Sequence, residues 1–203
     1  MTEITLISPA DYRVMTWRNG QGTTTEIAIA PGVGDRFRWR LSIADVASSG
    51  PFSDFSGYDR VIAVVSGAGM RLAVAGRAPV VLTRDSDPYP FPGDAATDCT
   101  LLDGPIRDFN LMTDRATCRG ALAALRFGPA PMIPAPIVPV PAPGATALLH
   151  AARGNLAVAV GASGEWQVPE GATLRLEAGP GGLSVAGEPG GIALLATIAP
   201  APP

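Results

Sequence analysis

Side chains alternate between apolar and polar with a period of two over much of the chain's first two-thirds. Phe37, Trp39, Leu41 and Ile43 alternate with Arg38, Arg40, Ser42 and Ala44, the pattern of a β-strand with one apolar face. Thr23 to Ala30 is a second run of β-formers, with Thr24 and Glu26 on one face and Thr25 and Ile27 on the other. Arg60 opens an apolar run that ends in a turn at Gly67, and shorter runs follow at Met70–Val74, Ala78–Thr83 and Cys99–Leu102. Between Ile106 and Met112, Asp108, Asn110 and Met112 alternate with Arg107, Phe109 and Leu111. Ser8-Pro9-Ala10-Asp11 reads as the capped first turn of a short helix. Ala116 to Phe127 is ambiguous, because alanine and leucine favour helix while Gly120 permits a strand; strand is the preferred reading.

Past residue 150 the runs shorten to Leu156–Val160, Ala172–Glu177, Gly182–Val185 and Ile192–Ile198, punctuated by Gly161, Gly171, Gly179 and Gly187. Many short strands with Gly/Pro turns predict an all-β protein of sandwich or jelly-roll type, and 203 residues accommodate two such units. Composition supports the division. Residues 1–128 hold 27 of the 33 charged side chains, whereas 129–203 hold the other six with 24 of the 45 glycines and prolines. Pro129 to Pro143 contains seven prolines and is expected to be an extended, semi-rigid connector. The expected organisation is therefore an amino-terminal barrel over 1–128, a connector over 129–143 and a smaller barrel over 144–203.

Several chemistries are excluded at this point. A net charge of −3 gives no electrostatic footprint for nucleic acid. All 15 basic residues are arginine, a set suited to bidentate anion contacts but also expected of a biased genome. The amino terminus shows neither the basic start nor the apolar core of a signal peptide. The uncharged stretch Phe127–Ala152 is too rich in proline to span a membrane as a helix, so the expectation is a cytoplasmic protein without membrane contact. Cys99 and Cys118 lack metal-type spacing and read as reduced thiols. There is no Gly-x-Ser-x-Gly element, and a single histidine restricts any Ser-His or Cys-His nucleophile. His150 stands alone beside an apolar run and reads as structural. Without an imidazole cluster or a suitably spaced Asp-rich loop, no metal and no other cofactor is expected.

What remains is a set of polar residues that strand geometry aims in common directions. Asn19 lies on a turn before the Thr24/Glu26 face, Arg40 and Ser42 share a face, Arg60 opens an apolar strand, and Asp108 and Asn110 share a face. They are either solvated outer faces or the lining of a pocket.

Motifs in this same region resemble the HutD/Ves family. The residues that carry the likeness are Trp17-Arg-Asn-Gly-Gln-Gly-Thr-Thr-Thr-Glu-Ile27, Phe37-Arg-Trp-Arg-Leu-Ser-Ile-Ala-Asp-Val46, Gly50-Pro-Phe-Ser-Asp-Phe-Ser-Gly-Tyr-Asp-Arg60, Phe91-Pro-Gly-Asp94 and Gly104-Pro-Ile-Arg-Asp-Phe-Asn-Leu-Met112. Together they cover about half the chain, in the family's order; Gln21 stands where the pattern has glycine, and Asp114 where relatives tend to be basic. The resemblance implies a double cupin, two jelly-roll β-barrels in one chain, with a metal-free pocket in the amino-terminal barrel. HutD proteins are linked to bacterial histidine utilisation and are viewed as binders of a small carboxylate intermediate with a regulatory role; Ves proteins are stress-associated.

By position, the resemblance places Asn19, Thr24, Glu26, Arg40, Ser42, Arg60, Asp108 and Asn110 among the shared polar residues. Arg40 or Arg60 suits the grip on a carboxylate, Ser42, Asn19 and Asn110 suit its orientation, and Glu26 and Asp108 suit pairing with the arginines. The leading expectation is a metal-independent binder of a small organic acid, with no catalytic residue assigned and homo-oligomerisation open. Two alternatives stand beside it: a metal-independent isomerase or lyase with Glu26 or Asp108 as general base, and a structural or partner-binding module.

Overall fold

The computed structural model describes residues 3–17, 22–128, 137–139, 144–161, 163–177 and 182–202. Its strands are, in chain order, β1 Ile4–Ile7, β2 Arg13–Thr16, β3 Gly22–Pro31, β4 Phe37–Val46, β5 Gly50–Pro51, β6 Tyr58–Ser66, β7 Met70–Val74, β8 Val80–Leu82, β9 Tyr89–Pro92 and β10 Thr97–Leu101. They continue with β11 Ile106–Asp114, β12 Cys118–Arg126, β13 Ile137–Pro139, β14 Thr146–Arg153, β15 Leu156–Val160, β16 Glu165–Val168, β17 Thr173–Glu177, β18 Gly182–Gly187 and β19 Ile192–Pro200. The ambiguous stretch after Ala116 is thus a strand. The capped turn is a single 3-10 turn, Pro9–Asp11: the Ala10 N–H donates to Ser8 Oγ, and the Ser8 N–H donates to the Asp11 carboxylate. No helix among the described residues is long and apolar enough to cross a membrane.

The chain divides into two compact units, Tyr12–Gly120 with Ala201–Pro203, and Met1–Asp11 with Ala121–Pro200. The boundary expected at Gly128 lies instead at Gly120/Ala121, and the first eleven residues belong with the carboxy-terminal unit. Strand pairing is the reason. β1 runs antiparallel to β17, with Ile4 opposite Leu176 and Leu6 opposite Leu174, and β12 takes the far edge of the same sheet beside β19. A compositional contrast tracks charge density along the chain and carries no information on such long-range pairing. The expected connector is also partly sheet: Ile137–Pro139 pairs with β18 as an edge strand, the position where a missing proline N–H is tolerated. The rest of 129–143 outside those three residues, apart from this strand, lies outside the described residues.

Each unit is a pair of sheets closed over an apolar core, the jelly-roll form of an all-β domain. In the 12–120 unit, a six-stranded sheet of order β2-β3-β4-β11-β6-β9 faces a four-stranded sheet of order β5-β10-β7-β8. Ala44, Ile62, Val64 and Phe91 from the first meet Met70, Leu72 and Cys99 from the second. Gly67, at φ 89°, makes the turn from β6 toward β7, a left-handed conformation suited to glycine.

In the other unit the sheets have orders β1-β17-β14-β19-β12 and β13-β18-β15-β16, and Leu149, Leu174 and Leu195 pack against Val158, Leu183 and Val185. His150 is buried on β14, its Nδ1 3.0 Å from Thr173 Oγ1. Burial lowers its pKa from 6.5 to about 4, so the ring is neutral near pH 7, in keeping with a structural role.

Candidate functional site

Register in the six-stranded sheet explains why residues far apart in sequence converge. Three rungs run across it. The first joins Met15, Thr24, Ala44, Asp108 and Val64; the second joins Arg13, Glu26, Ser42, Asn110 and Ile62; the third joins Ile29, Arg40, Met112, Arg60 and Phe91. Residues paired in register point to the same side of a sheet, and here Ala44, Ile62, Val64 and Phe91 mark that side as the interior. The polar alternates of β4 and β11 therefore face inward. Two bulges adjust their aim: one between Glu26 and Ala28 on β3, one where β6 passes Arg107 and Asp108.

A cavity of about 380 Å³ lies over these rungs, entirely within the 12–120 unit. Thr24, Arg40, Ser42, Arg60, Asp108 and Asn110 all line it. Glu26 does not, although sequence placed it in the pocket: it shares the second rung with Ser42 and its charge supports Arg40, but its half-buried side chain is not part of the wall. Asn19 lies outside the described residues.

The polar groups form a chain. Arg60 Nη2 donates to Asn110 Oδ1 at 2.8 Å, and Asn110 Nδ2 donates to Asp108 Oδ1. The amide orientation follows from its neighbours, since a guanidinium has only donors to offer. Beside this chain, Arg40 Nη2 reaches the Met112 sulfur at 3.4 Å, and the Trp17 indole N–H donates to Thr24 Oγ1 at 2.8 Å.

Aromatic rings enclose both cations. The Arg60 guanidinium carbon is 4.9 Å from the ring centres of Phe52 and Phe91, and that of Arg40 is 5.0 Å from Phe37; Phe55 lies 5.5 Å from each. Such contacts stabilise a guanidinium by about 0.5–2 kcal/mol, more where water is excluded. Sequence reasoning assigned these aromatics no role. Phe52 and Phe55 were visible in the Gly50–Arg60 motif, and Met112 followed from the alternation of β11, but only the fold shows that the loop after β5 brings the two rings to the arginines and that Met112 lies between those arginines on one rung.

Electrostatics in the cavity follow from burial. Desolvation lowers the Arg60 pKa to about 10, opposed by Asp108 and reinforced by Arg40. Arg40 is lowered as well, by burial first, opposed chiefly by the charge of Glu26. Both remain cations near pH 7. Burial raises Asp108 from 3.8 to about 7; Arg60 pulls it down and Asp45 pushes it up. Cys99, also in the wall, is raised to about 11 by burial and by Asp108, so it stays a thiol.

Two consequences are chemical. Arg40 Nε and Arg60 Nε are buried without a hydrogen-bond partner, an arrangement that native interiors avoid unless a ligand or water supplies the acceptor. Two guanidiniums in one wall suit an anion, and a planar carboxylate matches their geometry. The same wall does not suit a divalent metal of the kind jelly-roll sites hold through histidine. It offers one carboxylate, no imidazole and two fixed positive charges, and among the described residues no three His, Cys, Asp or Glu side chains are grouped to hold an ion.

Comparison with known proteins places this geometry in a family. A conserved protein of unknown function from Pseudomonas aeruginosa PAO1 superposes with TM-score 0.82 and 36 % identity, over 97 % of this chain and 99 % of that one. HutD from Pseudomonas fluorescens SBW25, in its formate-condition structure, superposes with TM-score 0.78 and 32 % identity over 98 % and 100 % of the two chains. More distant jelly-roll structures share the fold alone, among them an oxalate decarboxylase at 8 % identity and TM-score 0.63; with them, the two units are a double cupin. In sequence, an uncharacterised 21.2 kDa protein of the hutC 3′ region of Pseudomonas putida is 48 % identical over 113 residues, and a protein Ves of Citrobacter koseri is 39 % identical over 107. These matches take in 55 % and 52 % of this chain, and the chain spans 59 % and 56 % of the lengths of those curated relatives. The HutD family itself matches residues 9–194, which covers most of both units and every described residue of the cavity wall: the chain belongs to the HutD family.

Proposed function

We propose that the cavity of the 12–120 unit binds a small organic acid through its carboxylate, without a metal, in an accessory or regulatory role tied to histidine utilisation or stress. The observation that carries this reading is the pair of arginines that line one cavity, each enclosed by aromatic rings and each with a buried Nε–H that has no hydrogen-bond partner. The volume of about 380 Å³ falls in the lower part of the range for small-molecule sites. The thiols of Cys99 and Cys118 are both free and buried, which fits a cytoplasmic setting. Family membership supplies the context, since relatives carry the name HutD or lie beside hutC. A histidine-degradation acid such as urocanate is a reasonable ligand.

The test is a thermal-shift and calorimetric series with acetate, succinate and urocanate on the wild type, Arg40→Ala and Arg60→Met. A ligand that binds only the folded state at a hundred times its Kd stabilises it by about 2.7 kcal/mol. Losing a charge-assisted hydrogen bond weakens affinity by about 1.5–3 kcal/mol, roughly 10- to 150-fold. The reading fails if no acid raises the wild-type melting temperature, or if both variants respond as the wild type does.

A second reading is favoured by one observation. A cavity carboxyl that titrates near 7 is poised for general acid–base work, so Asp108 suits the base of a metal-independent isomerase or lyase. Turnover of a supplied acid that Asp108→Asn abolishes would establish it. Glu26, outside the wall, is not favoured for that role.

A further inference from the structure

Asp108 is the carboxyl in the cavity wall, and it is 1 % exposed. No arginine among the described residues forms an ion pair with it. Asn110 stands between Asp108 and Arg60, accepting from the cation with its oxygen and donating to the carboxyl with its nitrogen. The spacer keeps Asp108 from a direct salt bridge with Arg60. A buried carboxyl in this position favours its neutral form.

The charged and titratable groups around Asp108 come from five strands. β6 contributes Arg60; β4 contributes Arg40 and, toward the outside, Asp45; β3 contributes Glu26; β10 contributes Cys99; and Arg107 on its own strand β11 is engaged with Asp45 at 2.7 Å. Burial and Asp45 outweigh the pull of Arg60.

We propose that a carboxylate ligand enters this cavity together with a proton, and that Asp108 is the acid that holds it. This inference rests on the carboxylate-binding reading above. An anion held by Arg60 in this cavity is one amide away from Asp108, and two carboxylates in one enclosed site do not both stay charged without penalty. Binding therefore strengthens the hold of Asp108 on its proton, and linkage makes the effect reciprocal: protonation of Asp108 strengthens binding. Affinity is greatest below the Asp108 midpoint of the free protein and falls as pH rises through it, by at most about tenfold per pH unit. The decline stops where Asp108 also ionises in the complex.

The experiment is calorimetry on the full chain with acetate and succinate as probes, from about pH 6 to about pH 9, in phosphate and in Tris, whose heats of ionisation differ. The wild type is expected to take up close to one proton per ligand on the alkaline side, with affinity falling up to about tenfold per pH unit. Asp108→Asn is expected to show neither the buffer-dependent heat nor the pH slope. Carboxyl ¹³C NMR of aspartate-labelled protein supplies a readout that needs no variant for binding: one midpoint near neutrality in the free protein that moves upward with saturating probe. Binding with buffer-independent heat and no slope overturns proton coupling and leaves the carboxylate site standing. So does an NMR titration with every midpoint in the ordinary carboxyl range. If neither acid binds the wild type at any pH, the carboxylate reading falls and the coupling with it.

Discussion

Replacing Asp108 by asparagine removes a titration whose effect on folding is worked out directly. In the folded protein the carboxyl is protonated up to about pH 7, against an ordinary value of 3.8, because burial disfavours its charge. A group whose folded pKa is raised contributes stability that is fully present below its unfolded value and is lost as pH climbs through the folded one. The interval from 3.8 to about 7, at about 1.4 kcal/mol per pH unit, gives a loss of about 4 kcal/mol. That is a large part of the 5–15 kcal/mol that holds an ordinary domain together.

Asp108→Asn keeps an oxygen to accept from Asn110 and never ionises. Its stability advantage over the wild type should therefore grow from about pH 4 to about pH 7 and then level off, approaching about 4 kcal/mol. Urea titrations across this range measure it, with the slope m checked for constancy so that shifts in midpoint report stability alone. Tryptophan fluorescence separates the two units. Trp17 and Trp39 lie in the unit that holds Asp108, and Trp166 packs on the core of the other, so Trp166→Phe leaves only the relevant reporters.

His150 provides an internal control of opposite sign. Its pKa is lowered from 6.5 to about 4, so its contribution is present above 6.5 and is lost as pH falls toward 4, about 3 kcal/mol in all. The unit reported by Trp166 should weaken in acid over the same window in which the unit reported by Trp39 strengthens. A gap between Asp108→Asn and wild type that is constant or shrinks with rising pH refutes the reasoning.

Three further outcomes follow from the contacts. Asn110→Ala strands Arg60 Nη2 and Asp108 Oδ1 and should cost about 2–3 kcal/mol of stability in urea. Gly22→Ala would bring a methyl group to 2.3 Å from the Asp45 carbonyl oxygen and 2.9 Å from the Trp17 ring. A shifted Trp17 fluorescence spectrum and a loss of about 1–3 kcal/mol are expected, with weaker acetate binding as Thr24 loses its indole donor. Gly187→Ala would meet the Phe127 ring at 2.3 Å, and a similar loss of about 1–3 kcal/mol should register in the transition reported by Trp166.

Much of the 12–120 unit was legible because its strands carry their pattern locally. Phe37–Ile43 and Ile106–Met112 announce themselves by alternation and Met70–Val74 as a short run; the structure extends the first two and keeps the third. Among the strands that escaped notice are several whose stability comes from a distant partner. Ile4–Ile7 is held by β17, Tyr89–Pro92 by β6, and Thr146–Arg153 by β17 and β19. None has a local signature that sets it apart from a loop or an apolar run. The site shows the same division. Sequence located Arg40, Ser42, Asp108 and Asn110 on shared faces, but alternation alone leaves the inward face undetermined. On β4 the apolar set Trp39 and Leu41 is buried, and so are Ser42 and Ala44 opposite, so a rule of one wet face and one dry face fails there. The aromatic enclosure, the spacer role of Asn110 and the displacement of Glu26 from the wall depend on register and on a bulge, which no count of residue types contains.

The energetics of the cavity bear on why these residues are there. A buried donor without an acceptor costs about 1–3 kcal/mol, and the wall holds two, Arg40 Nε and Arg60 Nε. Asp108, neutral only while its proton is held, adds a pH-dependent loss of its own. Replacing buried ionic groups by apolar residues of similar volume is often neutral or stabilising, and Phe52, Phe55 and Phe91 already supply a lining that a methionine at position 60 would complete. Stability alone would therefore favour an apolar core at this end of the barrel. Local rules broken without gain to the fold mark a functional site, and the proposed ligand would answer them together. Under the proposed reading, a carboxylate held by the guanidiniums would offset their mutual repulsion and favour the protonated form of Asp108. The rung that sets Arg40 and Arg60 on either side of Met112 would give that ligand its place.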